Sequence, residues 1–399
     1  MSAVVAQPEP LARSREGLLP LTAYFLKLGT VGFGGPVALV GYMHRDLVER
    51  RRSVTEETYR LALALAQMMP GPLAAQCAIA LAYFEHGLLG ATLVGLAFVL
   101  PSFVMVVALS MAYVAFGGLW WMQALFYGIG AAVIGIIAIA AYKLSRSTNK
   151  ADPLLWGIFA TLAIITVVSR AELAIFFVLA GLVVMLAKAP PTWARMVTHR
   201  AHALYAMPLL QFAPAAGDGS QSVLLEILLF FTKAGAFVFG SGLAVVPFLY
   251  QGVVQDFHWL SEQQFTDAVA VAMITPGPVV ITVAFIGYLV AGLPGASLAA
   301  LGIFLPVFVP VALLSPWFKR HRDNAQLKAF VQGATAAATG AITGSVVILG
   351  QRAIFDIPTA AIGLVSLGVL WRFKLHEPIV VAAAGVTGLV IWFLLHSGG

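Results

Sequence analysis

Two interruptions constrain this chain more than any other feature in it. Residues 30–39 read TVGFGGPVAL, with Gly32, Gly34, Gly35 and Pro36 inside an apolar run. Residues 69–72 read MPGP, again between apolar segments. Proline removes a backbone donor and glycine favours turns, so neither run continues as one α-helix. About two hundred residues later both recur, as AFVFGSGLAV (236–245) and TPGP (275–278). The surroundings decide what such breaks mean. Of the 399 residues 60% are hydrophobic and 10% charged, against roughly 25% charged in a soluble chain. Apolar runs at 120–142, 153–169, 173–187, 293–314 and 378–395 approach or exceed the ~18 residues that cross a hydrocarbon core. The class predicted is an all-α polytopic membrane protein, broken at membrane depth.

The breaks belong to a duplication. A shift of 206 residues lays Lys27 on Lys233, Phe33 on Phe239, Gly34 on Gly240, Gln76 on Thr282 and MPGP on TPGP. After a one-residue slip, GATLVGLAFVLPSF (90–103) falls on GASLAALGIFLPVF (295–308), and Ser110 on Ser315. The expected organisation is a polar N-terminal tail (1–19), an N-terminal transmembrane repeat (20–188), a cytoplasmic linker (189–222) and a C-terminal transmembrane repeat (223–399).

Charge in equivalent loops predicts their orientation. Residues 44–60 carry Arg45, Arg50, Arg51, Arg52 and Arg60, while 250–266 have no lysine or arginine. Conversely, 112–123 have none and 317–328 have Lys319, Arg320, Arg322 and Lys328. Basic loops mark the cytoplasmic side, so the halves are expected to be inverted. Inversion needs an odd number of crossings per half. The expectation is therefore about ten crossings in all, with the two PGP segments re-entrant. Arg13 and Arg15 fall outside in this scheme.

Interrupted helices in inverted repeats place their breaks around the transported ion. A half-helix that starts after a break offers free N–H groups and a positive dipole end, which suits an anion. The candidate binding residues are Lys27, Gly34, Gly35, Pro36, Arg45, Pro70, Gly71, Pro72, Gln76, Lys233, Gly240, Gly242, Pro276, Gly277 and Pro278. Each has a plainer reading beside it. A GGP cluster also serves as a packing kink, and lysines near helix ends snorkel to the interface. Arg45 also orients the chain, and Gln76 and Thr282 either donate to an oxyanion or bond a neighbouring helix. Glu85, Glu226 and Asp267 lie toward segment ends, and no acidic pair sits mid-membrane, which argues against a cation substrate and against a dense acidic proton relay. No metal, cofactor or nucleotide motif is present, so neither cofactor nor enzymatic activity is expected. The single cysteine, Cys77, excludes an intramolecular disulfide, and the histidines read as solvated.

The run FLKLGTVGFGGPVALVGYMHRDLVERR with LAQMMPGPLAAQ, repeated as FTKAGAFVFGSGLAVVP with AMITPGPVVI, resembles the chromate ion transporter family in its long, two-half form. The resemblance implies a bacterial inner-membrane protein that exports chromate and confers chromate resistance, with Gly34, Gly35, Pro36, Pro70, Gly71 and Pro72 as its functional positions. The second copy departs from it, with FGSG for FGGP and no arginine cluster. The physics is compatible. Pushing two negative charges out of a cytoplasm ~100 mV negative gains about 4.6 kcal/mol, while proton or anion exchange stays open. The expected partners are chromate, with sulfate or inward transport as the alternative, the lipid bilayer and a second copy of the chain as a homodimer. No nucleic acid is expected.

Overall fold

The computed structural model describes residues 17–33, 35–69, 71–116, 120–169, 175–190, 222–236, 245–321, 324–373, 375 and 377–396. Gly34, Pro70, Gly240 and Gly242 lie outside them, as does most of the linker, and the side chain of Pro36 is likewise not described. Every regular element among the described residues is helical.

The first half runs α1 (Leu18–Val31), α2 (Gly35–Met43), a π-helical turn (His44–Arg50), α3 (Glu56–Met68), α4 (Leu73–Phe116), α5 (Trp120–Asn149), α6 (Pro153–Ser169) and α7 (Ile175–Lys188). The second half repeats this order. It runs α8 (Val223–Ala236), α9 (Val246–Tyr250), a π-helical turn (Gln251–Asp256), α10 (Glu262–Ile274), α11 (Thr282–His321), α12 (Ala325–Ala353), α13 (Ile357–Phe373) and α14 (Glu377–His396). A short 3-10 turn, Val279–Ile281, leads into α11. The repetition reaches single torsions. Arg52 and His258 have φ of 52° and 53°, and Gly87 and Gly292 have 66° and 60°.

Among the described residues five helical runs are long and apolar enough to cross a membrane, but α4 and α11 are not straight. A Cβ on Gly90 would lie 2.6 Å from the Ala82 carbonyl oxygen, and one on Gly295 would lie 2.1 Å from that of Gly287. Residues eight apart in a straight helix are separated by about 12 Å. The chain therefore doubles back at Gly87 and at Ala291–Gly292, where both glycines take the left-handed φ that costs them little. It also turns back at the second PGP, since the Thr282 hydroxyl donates to the Ala268 carbonyl at 2.6 Å. That settles Thr282 as a helix-to-helix bond.

The halves interlock. Helices α1 and α8 pack on α4 and α11 of their own halves, while α5 packs on α13 and α14 and α12 packs on α6 and α7. Counterparts also touch, α4 with α11 and α5 with α12. Glycines set these approaches. Gly128 lies against the Ala384 carbonyl and Gly388 against that of Ala124, so α5 and α14 run antiparallel. Gly350 of α12 faces Ile134, while Gly363 of α13 faces Ala131 at nearly the same level of α5. The chain must reverse between them. Gly135 faces Leu367 as Ala131 faces Gly363, so α5 runs with α13 and against its own counterpart α12.

The main core draws on both halves, including Phe126, Val133, Phe231, Phe265, Phe285 and Ile303. A second core gathers α1 to α4 with Val307 and Val311 from α11. Outward faces are apolar too, with Leu96, Val104, Met111, Val168, Leu313, Leu364 and Val386 all exposed, as a lipid-facing surface requires.

Candidate functional site

Two of the breaks meet, one from each half. Helix α1 ends at Gly32, whose carbonyl accepts a 3.0 Å hydrogen bond from the Gly277 N–H of the second PGP turn. Ser102, fully buried on α4 one residue after Pro101, donates its hydroxyl to the Pro276 carbonyl at 2.7 Å and lies 3.4 Å from that of Gly29. Thus the end of the first interrupted helix, the LPSF segment of α4 and the PGP turn of the other half form one junction. Gly277 has φ +99°, and a Cβ there would fall 2.0 Å from the Ser102 hydroxyl. Only glycine fits.

The equivalent junction pairs Gly71 with Val307. Gly71 has φ +141°, and a Cβ on it would lie 3.1 Å from Val307 and 2.6 Å from the Gln76 amide nitrogen. Val307 is the counterpart of Ser102 (102 + 205), so one junction is tied by a hydroxyl and the other only packs. Close backbone approach frames both. A Cβ on Gly29 would meet the Phe98 carbonyl at 2.3 Å, and one on Gly235 would meet that of Ile303 at 2.4 Å.

Below the first turn, α4 begins with its first intrahelical bond from the Gln76 N–H to the Pro72 carbonyl, at 3.0 Å. The amides of Leu73, Ala74 and Ala75 precede that bond, and among the described residues none of the three has an acceptor. Pro72, Ala74, Ala75 and Gln76 are all buried. A buried helix start with three donors and the positive dipole end presents hydrogen-bond donors of the kind that anions accept from.

The structure gathers Gly71, Pro72, Gln76, Pro276, Gly277 and Pro278 at or beside these junctions, and Gly35 opens α2 just beyond Gly32. The cations stand elsewhere. Lys27 is exposed on α1, opposite the buried face of Tyr24, Phe25 and Leu28. Lys233 is exposed, with its ammonium 5.9 Å from the Phe248 ring centre. Arg45 stacks over Tyr42 at 5.1 Å and reaches Asp46 at 3.3 Å. Beside it His44, which the sequence suggested was merely solvated, bridges Glu49 at 3.1 Å and Glu56 at 2.8 Å.

Ser102 and Gly29 escaped the reading of the sequence. The signal was there in the duplicated LPSF and LPVF segments and in the alignment of Gly29 with Gly235, since 29 + 206 is 235. Asp267 is also more deeply placed than its position toward a segment end suggested, at 3% exposure.

Comparison with known proteins shows the family. The chromate transporter family profile matches residues 19–187 and again 225–389. The chain is 57% identical over 380 residues to a chromate transport protein of Cupriavidus metallidurans, covering 95% of this chain and 94% of that one. It is 54% identical over 378 residues to a probable chromate transport protein of Synechococcus elongatus, covering 94% and 96%. A chromate transport protein of Pseudomonas aeruginosa is 31% identical over 387 residues, covering 93% and 92%. No solved structure matches.

Proposed function

The chain belongs to the chromate transporter family, and from that premise we propose that it exports chromate across the bacterial inner membrane and so confers chromate resistance. The observation that carries the reading is the buried start of α4, where the amides of Leu73, Ala74 and Ala75 have no acceptor among the described residues beneath the first PGP turn. A dianion entering hydrocarbon unaided would lose tens of kcal/mol of hydration. Three aligned amides and a helix dipole replace part of that hydration without presenting a competing carboxylate.

The halves act as inverted repeats around this site. The antiparallel run of α5 against α12 supports the inversion, as does the exchange of basic residues between equivalent loops. The PGP hairpins then enter and leave the membrane on one face each, giving five crossings per half. The Gly277 to Gly32 bond supports a midplane junction, since it ties a break of one half to a break of the other. Membrane potential, at about 2.3 kcal/mol per charge for 100 mV, favours outward movement of the dianion.

The test is accumulation. Chromate-sensitive bacteria expressing the chain are expected to grow at higher chromate and to hold less of it inside than controls. Unchanged intracellular chromate at full membrane expression overturns export, and raised chromate would reverse its direction. Competition by sulfate measures how far shape and charge alone are read.

A further inference from the structure

Asp267 does not belong to the junctions, yet it is almost completely enclosed at 3% exposure. It sits on α10, and its two carboxylate oxygens have different partners. The Tyr113 hydroxyl of α4, from the other half, donates to Oδ2 at 2.7 Å, and the Gln263 amide donates to Oδ1 at 2.9 Å. The Tyr113 ring is held by Phe285 at 5.1 Å and Phe126 at 5.5 Å. Apart from Tyr113, no titratable or charged side chain faces Asp267 from α4, α5, α11 or α14 among the described residues. On α10 itself Glu262 is turned to the Tyr250 hydroxyl at 3.1 Å. A carboxylate enclosed in a membrane protein without a cation is costly to keep charged. Its neighbours are hydrogen-bond donors rather than the oxygen ligands that a metal cation needs, so the group suited to it is a proton.

The arrangement is absent from the other half, where the counterpart positions hold Leu61 and Phe318. It is therefore not demanded by the repeat's packing. From Asp267 to Thr275, the residue before the second PGP, is eight residues of helix, or about 12 Å. An ionised Asp267 therefore places a negative charge near the second junction, and in a low-dielectric interior it repels a dianion held at the start of α4; protonation removes the repulsion. By linkage, each then favours the other.

We propose that Asp267, held by Tyr113 and Gln263, is a proton-binding site linked to the anion site, so that chromate binds with uptake of one proton. A single O–H bond forms on the carboxyl, with the proton drawn from water, and nothing is oxidised or reduced. The proposal rests on the chromate reading, and its test separates the two.

The purified full chain is titrated with chromate in detergent at pH 6.5 and 8, using paired buffers of different ionisation enthalpy to count protons. The same titrations are made on Asp267→Asn, Asp267→Glu and Tyr113→Phe. Chromate's own protonation is common to all and drops out of the comparison. In the wild type the affinity is expected to fall roughly tenfold more between the two pH values than in Asp267→Asn. Proton uptake in excess of the Asn variant's is expected in the wild type and in Asp267→Glu. Tyr113→Phe keeps the carboxyl but loses a donor to its charged form, so its midpoint should move to higher pH. Equal pH dependence in wild type and Asp267→Asn, or an unmoved midpoint in Tyr113→Phe if the Asn variant does not fold, overturns the proton site alone. No chromate binding by the wild type at either pH removes the chromate reading and the proton site together.

Discussion

At the scale of single residues the two junctions are related but not equal. Gly277 and Gly71 both carry φ values that other residues rarely adopt, 99° and 141°, and both have a neighbour where a Cβ would go. Replacing Gly71 with leucine drives a side chain into Gln76 and over the start of α4. Chromate export is expected to be lost while the protein still reaches the membrane, as measured by accumulation against immunodetected protein. Normal export by Gly71→Leu would reduce the turn to a packing kink. Ser102→Ala is the milder probe. It leaves the buried Pro276 carbonyl without its 2.7 Å donor, a loss of about 1–3 kcal/mol. Its thermal midpoint in detergent should drop clearly, while Val307→Ala on the equivalent side removes no hydrogen bond and costs only packing. The glycines and prolines were legible in the sequence because their backbone rules are local. Ser102 was not, because its partners lie 73 and 174 residues away along the chain.

Among the elements, the turn that follows each interrupted helix separates the halves most clearly. Both copies wind into a π-helical turn at the same place, His44–Arg50 and Gln251–Asp256. Such turns recur at functional sites. The first is laced with charge. Both ring nitrogens of His44 face carboxylates, and Arg60 adds a 2.6 Å contact to Glu56. In the second, Tyr250 replaces His44 and donates to Glu262. The hydrogen bond to His44, then that to Arg60, holds the Glu56 carboxyl below its usual range. A carboxyl lowered by folding stabilises the native state fully above its ordinary range and ceases to do so as pH falls through its lower folded value. Wild type is therefore expected to melt above Glu56→Gln at neutral pH, with the gap closing only in acid below the usual carboxylate range. Parallel melting curves at every pH would leave the His44–Glu56 tie without weight. Helix existence was readable from apolar runs, and the turn of the chain at the second PGP from its two missing donors. The second reversal at Gly87 and Gly292 was not, since a lone glycine in an apolar run does not announce φ near +60°.

For the molecule as a whole, the interlocking of helices follows from a pseudo-twofold relation. Junction Gly277 with Ser102 maps onto Gly71 with Val307, and α5 with α14 maps onto α12 with α7. Contacts that exchange partners in this way are those of an isologous interface, here between two halves of one chain. The duplication was legible because its register persists over long stretches. The interlocking was not, because no local pattern says that α5 leaves its own half to pack on the other. The antiparallel run of α5 and α12 has a consequence for labelling. If the halves are inverted as proposed, positions equivalent by sequence open to opposite compartments. Arg51 and Phe257 form such a pair (51 + 206), both exposed at the ends of their π-helical turns. Cys77 is the chain's single cysteine and is fully buried, so Cys77→Ala gives a clean background at the cost of one small core atom. Cysteines placed singly at 51 and 257 should then react with a membrane-impermeant maleimide from different sides, 51 only in everted vesicles and 257 in intact spheroplasts. Labelling of both from one side would place the two halves in parallel, and a site between half-helices approached from opposite faces would lose its geometric basis.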